Sequence, residues 1–402
     1  MQILLITAAL PYPPASGGAL RAYGILRGLA EAGHAITLLT FGDPTDRLPE
    51  TPLNTYCRDI ITIEPPRRSK INRLKDLLLT GEADIARRFY SEIFEQALVR
   101  LLQQQTFDIV QFEGIEVACY IPTVRRESKT AIVFDTFNAE AELQRVIAKV
   151  DRANPRRWLV AGYSWIQSRR IHTYEKSLCQ MADAVIAVSP EDAKLLQVYT
   201  PGKKVHVVPS GIHVDAYQDQ QQKTLYLGEN SVIFTGKMDY RPNVDAMLWF
   251  TNKILPLIKQ SVNLTIVGQK SHAQLAPLLE MPNIQLTGWV DSVLPYLHNT
   301  DVYIAPLRMG SGTRLKILEA MACGCAIAAT DLAASGLHDD ARSALVIVNE
   351  EQTFAEAIDT LLTDRQERLR LGKKAQDAVR RHYDWSVLIP RLLAVYEELQ
   401  IG

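Results

Sequence analysis

Cysteine is scarce in this chain, an excess charge of either sign is absent, and no long apolar run occurs. Five cysteines in 402 residues, at positions 57, 119, 179, 323 and 325, are odd in number and scattered. A chain of this size needs no staples, so they read as reduced thiols of a cytoplasmic protein rather than as a disulfide framework. The close pair Cys323 and Cys325 has no neighbouring histidine or second cysteine pair to complete a metal shell. A formal net charge of -1 excludes a global basic field that would draw the chain to nucleic acid. No run approaches the roughly 20 apolar residues that span a bilayer. The apolar start, Met1 to Leu10, lacks a basic lead-in and runs into Pro11, Pro13 and Pro14, so it reads as a buried strand and not a signal peptide.

What is present is an ordinary globular composition, 47% hydrophobic and 22% charged, which excludes a disordered or fibrous chain. The length exceeds one core and implies two domains of roughly 150 to 200 residues. Short apolar runs at 3–6, 35–39, 108–110, 131–134 and 184–188 alternate with amphipathic stretches, the signature of a doubly wound parallel sheet. Gln218 to Asn230 is polar and aperiodic, which puts the joint around residues 210–228. The alternation restarts with strands expected at 232–234, 264–267, 284–286, 302–304, 326–329 and 344–348, and with helices at 244–258 and 315–322. Helices are expected at 354–362, 364–383 and 385–399. The chain therefore reads as an α/β protein of two Rossmann-like domains.

Ligands of open α/β sheets bind beyond the carboxyl ends of the strands. After the first strand, Gly17 and Gly18 precede a helix expected to begin near Ala19, an arrangement that suits either an anion or a tight turn. It is not the Gly-x-Gly-x-x-Gly dinucleotide fingerprint, which argues against hydride transfer. The loop after the strand at 302–304 is richer. Gly310-Ser311-Gly312-Thr313-Arg314 leads into a helix with Lys316, and Arg308 lies upstream, the composition of a pyrophosphate cradle. Charge-assisted contacts of this kind contribute about 1.5–3 kcal/mol each. Glu319 could accept hydrogen bonds from two vicinal ribose hydroxyls, or it could simply pair with Lys316 on a solvated helix face.

The segment Gly310 to Gly324, with Ala326 to Thr330 behind it, resembles the nucleotide-sugar motif of retaining glycosyltransferases of the GT-B fold, particularly family 4. Gly17-Gly18, Glu31 to His34, Ala187 to Pro190, Val208 to Ile212, Gly288 to Asp291 and His382 to Trp385 are similar to further landmarks of that family. The resemblance implies an acceptor-binding domain over 1–210 and a nucleotide-sugar-binding domain over 211–384, facing across a cleft. It also implies a terminal helix, 385–402, that packs back on the N-terminal domain. No metal or other cofactor is implied. Carried over by position, Glu319 would hold the ribose, Arg314 and Lys316 the diphosphate, Gly18 the phosphate, and Val290 the base through its backbone. Gly17, Gly236, Lys237, Gly268, Ser311, Gly312 and Thr313 join them as donor-binding positions.

Three departures from the family pattern stand out. Ser311 occupies a position where the family often has Glu, so a contact to the donor sugar is altered or made elsewhere. Lys237 stands where Arg is common and Pro242 where Lys is common, which shifts phosphate binding toward Arg314 and Lys316, with Arg241 as a substitute. Phe137 replaces a His near the reacting sugar, so Asn138 or Glu140 would have to position substrate. Glu140 also reads as a carboxylate at a helix N-terminus. Gln111 and Glu113 read either as acceptor-binding residues facing the cleft or as a solvated loop.

Two basic clusters, Arg67, Arg68, Lys70, Arg73, Lys75 and Arg152, Arg156, Arg157, Arg169, Arg170, suit either peripheral contact with the anionic inner face of a membrane or a solvated helix face. Trp158, Tyr163 and Trp165 lie between the arginines of the second. The resemblance thus implies transfer of a sugar from a nucleoside diphosphate sugar to a glycan, lipid-linked or polysaccharide acceptor, with retention of configuration. A non-catalytic nucleotide-sugar-binding scaffold and a nucleotide-sugar epimerase are the rival readings.

Overall fold

A computed structural model describes residues 1–14, 16–43, 51–67, 80–152, 158–218, 225–269, 272–310 and 314–401, with the backbone alone described for 147–152 and 158–161. The chain divides into two compact units, Met1–Ser210 with Leu388–Gly402, and Gly211–Val387.

The first unit is built on a parallel sheet in the order β3-β2-β1-β4-β5-β6-β7. Its strands are β1 (Gln2–Thr7), β2 (Ala35–Phe41), β3 (Asp59–Ile63), β4 (Ile109–Glu113), β5 (Ala131–Thr136), β6 (Ala184–Ala187) and β7 (Val205–Val207). Helices cover both faces of such a sheet, which is why the central strands read as unbroken apolar runs. Ile3 pairs with Ile36 on one side and with Ile109 on the other, and all three are fully buried. β3 did not emerge from the sequence pattern. It is an edge strand whose five residues are all half-buried, so it carries no fully apolar run.

The second unit repeats the design with the order β10-β9-β8-β11-β12-β13. Here β8 is Ser231–Thr235, β9 Asn263–Val267, β10 Ile284–Leu286, β11 Val302–Ala305, β12 Ala326–Ala329 and β13 Val346–Ile347. β13 is shorter than the apolar run 344–348 suggests, because only Val346 and Ile347 find partners on β12. The helix expected over 244–258 starts earlier, at Arg241, where Pro242 suits the first turn. It then loosens into a π turn at Phe250–Ile254 and a 3-10 turn at Leu255–Leu257.

In each sheet the chain reverses direction beside the first strand, between β1 and β4 and between β8 and β11. Those reversals open a crevice at the carboxyl ends of the strands, where ligands of this architecture bind. The last helix, Trp385–Ile401, starts in the second unit, and its residues from Leu388 onward belong to the first.

Candidate functional site

In the second unit the carboxyl ends of β8, β9 and β11 bring together four of the expected donor residues. Gly236 and Lys237 follow β8, Gly268 follows β9, and Lys316 lies in the first turn of the helix Leu315–Ala322 after β11. The Lys316 ammonium donates to Asn243 Oδ1 at 2.7 Å and lies 4.4 Å from the centroid of the Phe234 ring. Asn243 in turn donates to the Lys237 carbonyl at 2.9 Å. Burial, and then the neighbouring charge of Arg314, pulls the Lys316 pKa down to about 7. Glu319 accepts a hydrogen bond from the Tyr217 hydroxyl at 3.0 Å, and burial pushes its carboxyl up against the opposing pull of Tyr217 and Lys316. Among the described residues Lys316 and Glu319 form no ion pair, so the solvated-face reading of the two is corrected: both are half-buried and held by separate partners. Sequence reasoning missed Asn243 and Tyr217, since neither lies in a glycine-rich or charged motif.

The glycines are fixed by close approach. At Gly236, with φ +152°, a Cβ would fall 2.6 Å from both Lys316 Nζ and Asn243 Nδ2. At Gly268, with φ +154°, it would fall 1.7 Å from the Gly236 carbonyl oxygen. The two strand ends can touch only without side chains. Gly268→Ala is therefore expected to destabilise the second unit by about 3 kcal/mol or more. A urea titration checks this, and an unchanged midpoint would contradict the packing described.

Other expected donor residues are placed as follows. Arg314 is the residue preceding the helix, and its guanidinium would lie 3.0 Å from a Cβ on Gly310. Val290 is half-buried against the core in the loop after β10, beside Trp289, which is 61% exposed. Lys237 lies 3.7 Å from Asp239, both well exposed. Arg308 makes a two-point pair with Asp245 at 2.8 and 3.1 Å, which turns this cation of the expected cradle toward a carboxylate. Ser311, Gly312 and Thr313 lie outside the described residues.

In the first unit, Gly17 and Gly18 form the first turn of the helix Gly17–Glu31, which begins two residues before the expected Ala19. Ser16 sets that start by accepting the Ala19 N–H at 3.3 Å. Phe137, after β5, packs on this turn: its Cε2 would lie 3.1 Å from a Cβ on Gly18 and 3.0 Å from one on Gly114. Asn138 is half-buried, and its carbonyl accepts the Thr136 hydroxyl at 2.7 Å. Glu140 opens the helix Glu140–Arg152, its N–H donating to Glu175 at 2.7 Å and its carboxyl accepting from Gln144 at 2.9 Å. Burial raises its pKa. Glu116, which sequence reasoning did not single out, shares this edge. Burial raises its carboxyl too, and its Oε2 would lie 2.6 Å from a Cβ on Gly114.

Gln111 and Glu113 require a correction, for they neither line an open crevice nor form a solvated loop. Both are buried in β4, 0% and 1% exposed. Arg21 reaches Asp135 through two hydrogen bonds of 2.9 Å and Ser210 through one of 3.4 Å. Gln111 donates to Glu113 Oε1 at 2.5 Å and accepts the Tyr396 hydroxyl from the last helix. Among the described residues Glu113 Oε2 has no hydrogen-bond partner. One guanidinium serves two buried carboxyls, so burial and the Asp135 charge lift the Glu113 pKa well above its usual value.

The remaining features are peripheral. Arg67 pairs with Glu64 at 3.0 Å, Arg169 lies 4.1 Å over Trp165, and Arg170 reaches the Glu82 carbonyl at 3.3 Å. Arg68, Lys70, Arg73, Lys75, Arg156 and Arg157 lie outside the described residues, as do the side chains of Arg152 and Trp158. His206 meets Glu398 at 3.7 Å, a partner invisible in sequence. His338, Asp340 and His382 come together within 4.8 Å, with Arg381 also bound to Asp340 at 2.9 Å. All five cysteines are free thiols. Among the described residues no helix is long and apolar enough to cross a membrane.

Two Rossmann-like units with ligand-edge glycines and a half-buried lysine define a class, and comparison with known proteins gives it a name. Residues 15–216 match the model of Glycosyltransferase Family 4, and residues 229–364 match that of Glycosyl transferases group 1. The chain belongs to Glycosyltransferase Family 4. A phosphatidyl-myo-inositol mannosyltransferase of Mycobacterium leprae is 32% identical over 226 residues, which cover 53% of this chain and 58% of that protein. The match thus spans little more than half of the curated relative. Sucrose-phosphate synthase of Thermosynechococcus elongatus superimposes with a TM-score of 0.74 at 18% identity, covering 100% of both chains. Anabaena HepE in complex with UDP does so with a TM-score of 0.68 at 12% identity, covering 99% of this chain and 100% of that one. These likenesses show the fold, which is GT-B.

Proposed function

We propose that the protein transfers a sugar from a nucleoside diphosphate sugar to an acceptor hydroxyl, with retention of anomeric configuration and without a metal ion. The observation that carries this reading is Lys316, a half-buried amine whose pKa burial and the Arg314 charge pull down, set against Gly236 at the sheet's reversal point. Two cations held close together and partly out of water favour a multiply charged anion between them, and a diphosphate fits. The acceptor oxygen bonds to the anomeric carbon as the bond to the diphosphate breaks; the leaving phosphate oxygen takes the acceptor proton on the same face, and Lys316, Arg314 and nearby N–H groups stabilise its growing charge. Glu319, held by Tyr217, would accept the ribose hydroxyls, and the backbone of Val290 would meet the base. In the first unit Asn138 and Glu140 would position acceptor or sugar, Gly17 and Gly18 offering helix N–H groups to phosphate. The relatives named for mannosyl transfer and for sucrose-phosphate synthesis, and the UDP complex, support a nucleotide-sugar donor. Peripheral contact with an anionic membrane from the cytoplasmic side belongs to the same proposal.

The test is incubation with UDP-, GDP-, ADP- and dTDP-sugars, with release of nucleoside diphosphate followed and the product anomer read by NMR. A product of inverted configuration would overturn the retaining mechanism. Isomerised donor formed without acceptor would point to an epimerase instead. A pH profile adds a second check. Since Lys316 loses its proton near pH 7 in the free protein, nucleoside diphosphate affinity is expected to fall as pH rises above about 7. Lys316→Arg, which stays charged, should remove that fall in an isothermal titration series.

A further inference from the structure

A cavity of about 770 Å³ opens in the first unit, and none of Gly17, Gly18, Asn138 and Glu140 lines it. Its size is that of a small-molecule site. Arg67, Arg87, Arg88 and Arg170 line it, against a single carboxylate, Glu82. Arg87 holds that carboxylate at 2.5 Å and Arg67 pairs with Glu64 at 3.0 Å, so four guanidiniums face two carboxylates and the lining keeps an excess of positive charge. The lining also has an apolar part: Ala83, Ala86, Pro122, Leu178 and Met181. The cavity adjoins the ligand edge of the first sheet. Tyr174, in its wall, donates to the Ile115 carbonyl at 3.4 Å, and Cys119 donates to that of Glu116 at 3.7 Å, both just beyond β4.

A neutral sugar has no use for four guanidiniums, and a bare phosphate has no use for the apolar wall. Charge and shape together ask for a molecule with an anionic head and a hydrocarbon tail. Resting on the reading above, we propose that this cavity binds the acceptor and that the acceptor is a phosphate-bearing lipid. Its phosphate meets the arginines, and the first part of its chain lies along Leu178, Met181 and Pro122. The chain beyond the cavity stays in the bilayer, consistent with a protein whose described helices do not themselves span one.

The experiment uses the full chain and decyl phosphate below its micellar concentration as probe, with hexyl phosphate, decanol, inorganic phosphate and a hexose 6-phosphate as comparisons, each by isothermal titration. Burial of a methylene is worth about fourfold in affinity, so decyl phosphate should bind one site at least tenfold tighter than hexyl phosphate. Decanol and inorganic phosphate should bind at least tenfold more weakly than decyl phosphate. Met181→Trp, which fills the cavity, and Arg88→Glu, which reverses a charge, should each weaken decyl phosphate at least tenfold while leaving nucleoside diphosphate binding intact. That second readout shows that the variants fold. Equal binding of the hexose phosphate would replace the lipid with a soluble acceptor and overturn the proposal. Equal binding of inorganic phosphate, or no response to either substitution, would overturn it as well. Failure of alkyl phosphate with nucleotide binding preserved sinks this proposal alone, whereas failure of nucleotide with alkyl phosphate bound sinks the donor reading.

Discussion

Replacing Arg21 by Met lowers the stability of the first unit by about 3–5 kcal/mol, because it strips from a pair of buried carboxyls the only cation that the described residues offer them. Arg21 and Asp135 are 1% and 0% exposed and are joined by two hydrogen bonds of 2.9 Å, with Glu113 beside them on the neighbouring strand. Loss of the guanidinium strands Asp135 as an anion out of water. The variant should keep the apolar packing of the arginine stem, so the loss reports charge rather than volume. A urea titration reads it, and a change below about 1 kcal/mol would mean that water reaches the network.

The companion change, Glu113→Gln, has a sign that depends on pH. A carboxyl whose folded pKa is raised binds a proton that the unfolded chain has already released. Its stabilising share is present below the unfolded pKa, near 4.5, and is lost as pH rises toward the folded value. Glutamine, neutral throughout, escapes that loss. The stability of Glu113→Gln relative to wild type should therefore climb as pH rises from about 5 toward the raised folded value, by up to about 1.4 kcal/mol per unit. Parallel pH profiles for the two proteins would show Glu113 to be ionised in the fold.

Lys316→Met is expected to lower kcat/KM for the donor by about 10²–10³-fold, the cost of removing one preorganised charge from the diphosphate. The same variant should melt higher than wild type, since methionine still packs on Phe234 while the penalty of desolvating an amine disappears. The amine's folded pKa, about 7, lies below its ordinary 10.5. The stability gain is therefore largest below pH 7 and shrinks as pH rises toward 10.5. A lysine kept for ligand binding would show this opposition of stability and activity. If Lys316→Met both melts lower and keeps its activity, the lysine is structural.

Much of this architecture was legible because parallel strands buried on two faces leave unbroken apolar runs, as at Ile3 to Ile6 and Ala326 to Ala329. Gly236 and Gly268 were named through the family resemblance alone; that the two strand ends meet there with no room for a side chain is visible only in the fold. What stayed hidden was pairing across long separations. Gln111 and Glu113 look like loop residues until Arg21, Asp135 and Tyr396 arrive from distant parts of the chain to satisfy them. Lys316 and Glu319, three residues apart, look like a helix pair, yet Asn243 and Tyr217 claim them separately. The edge strand β3 was silent because its half-buried residues follow neither period. Glu116 gave no signal at all, since its burial depends on the fold of the segment around it.

The central claim, a nucleoside diphosphate site in the second unit, is tested most directly by thermal shift. UDP, GDP, ADP, dTDP and their sugars would be added to wild type and to Glu319→Ala, with and without Mg²⁺. One base should raise the melting temperature by several degrees at saturating concentration, independently of Mg²⁺, and Glu319→Ala should abolish the rise. No shift with any nucleotide would make the glycine-rich loop a structural turn and the protein a scaffold rather than a transferase.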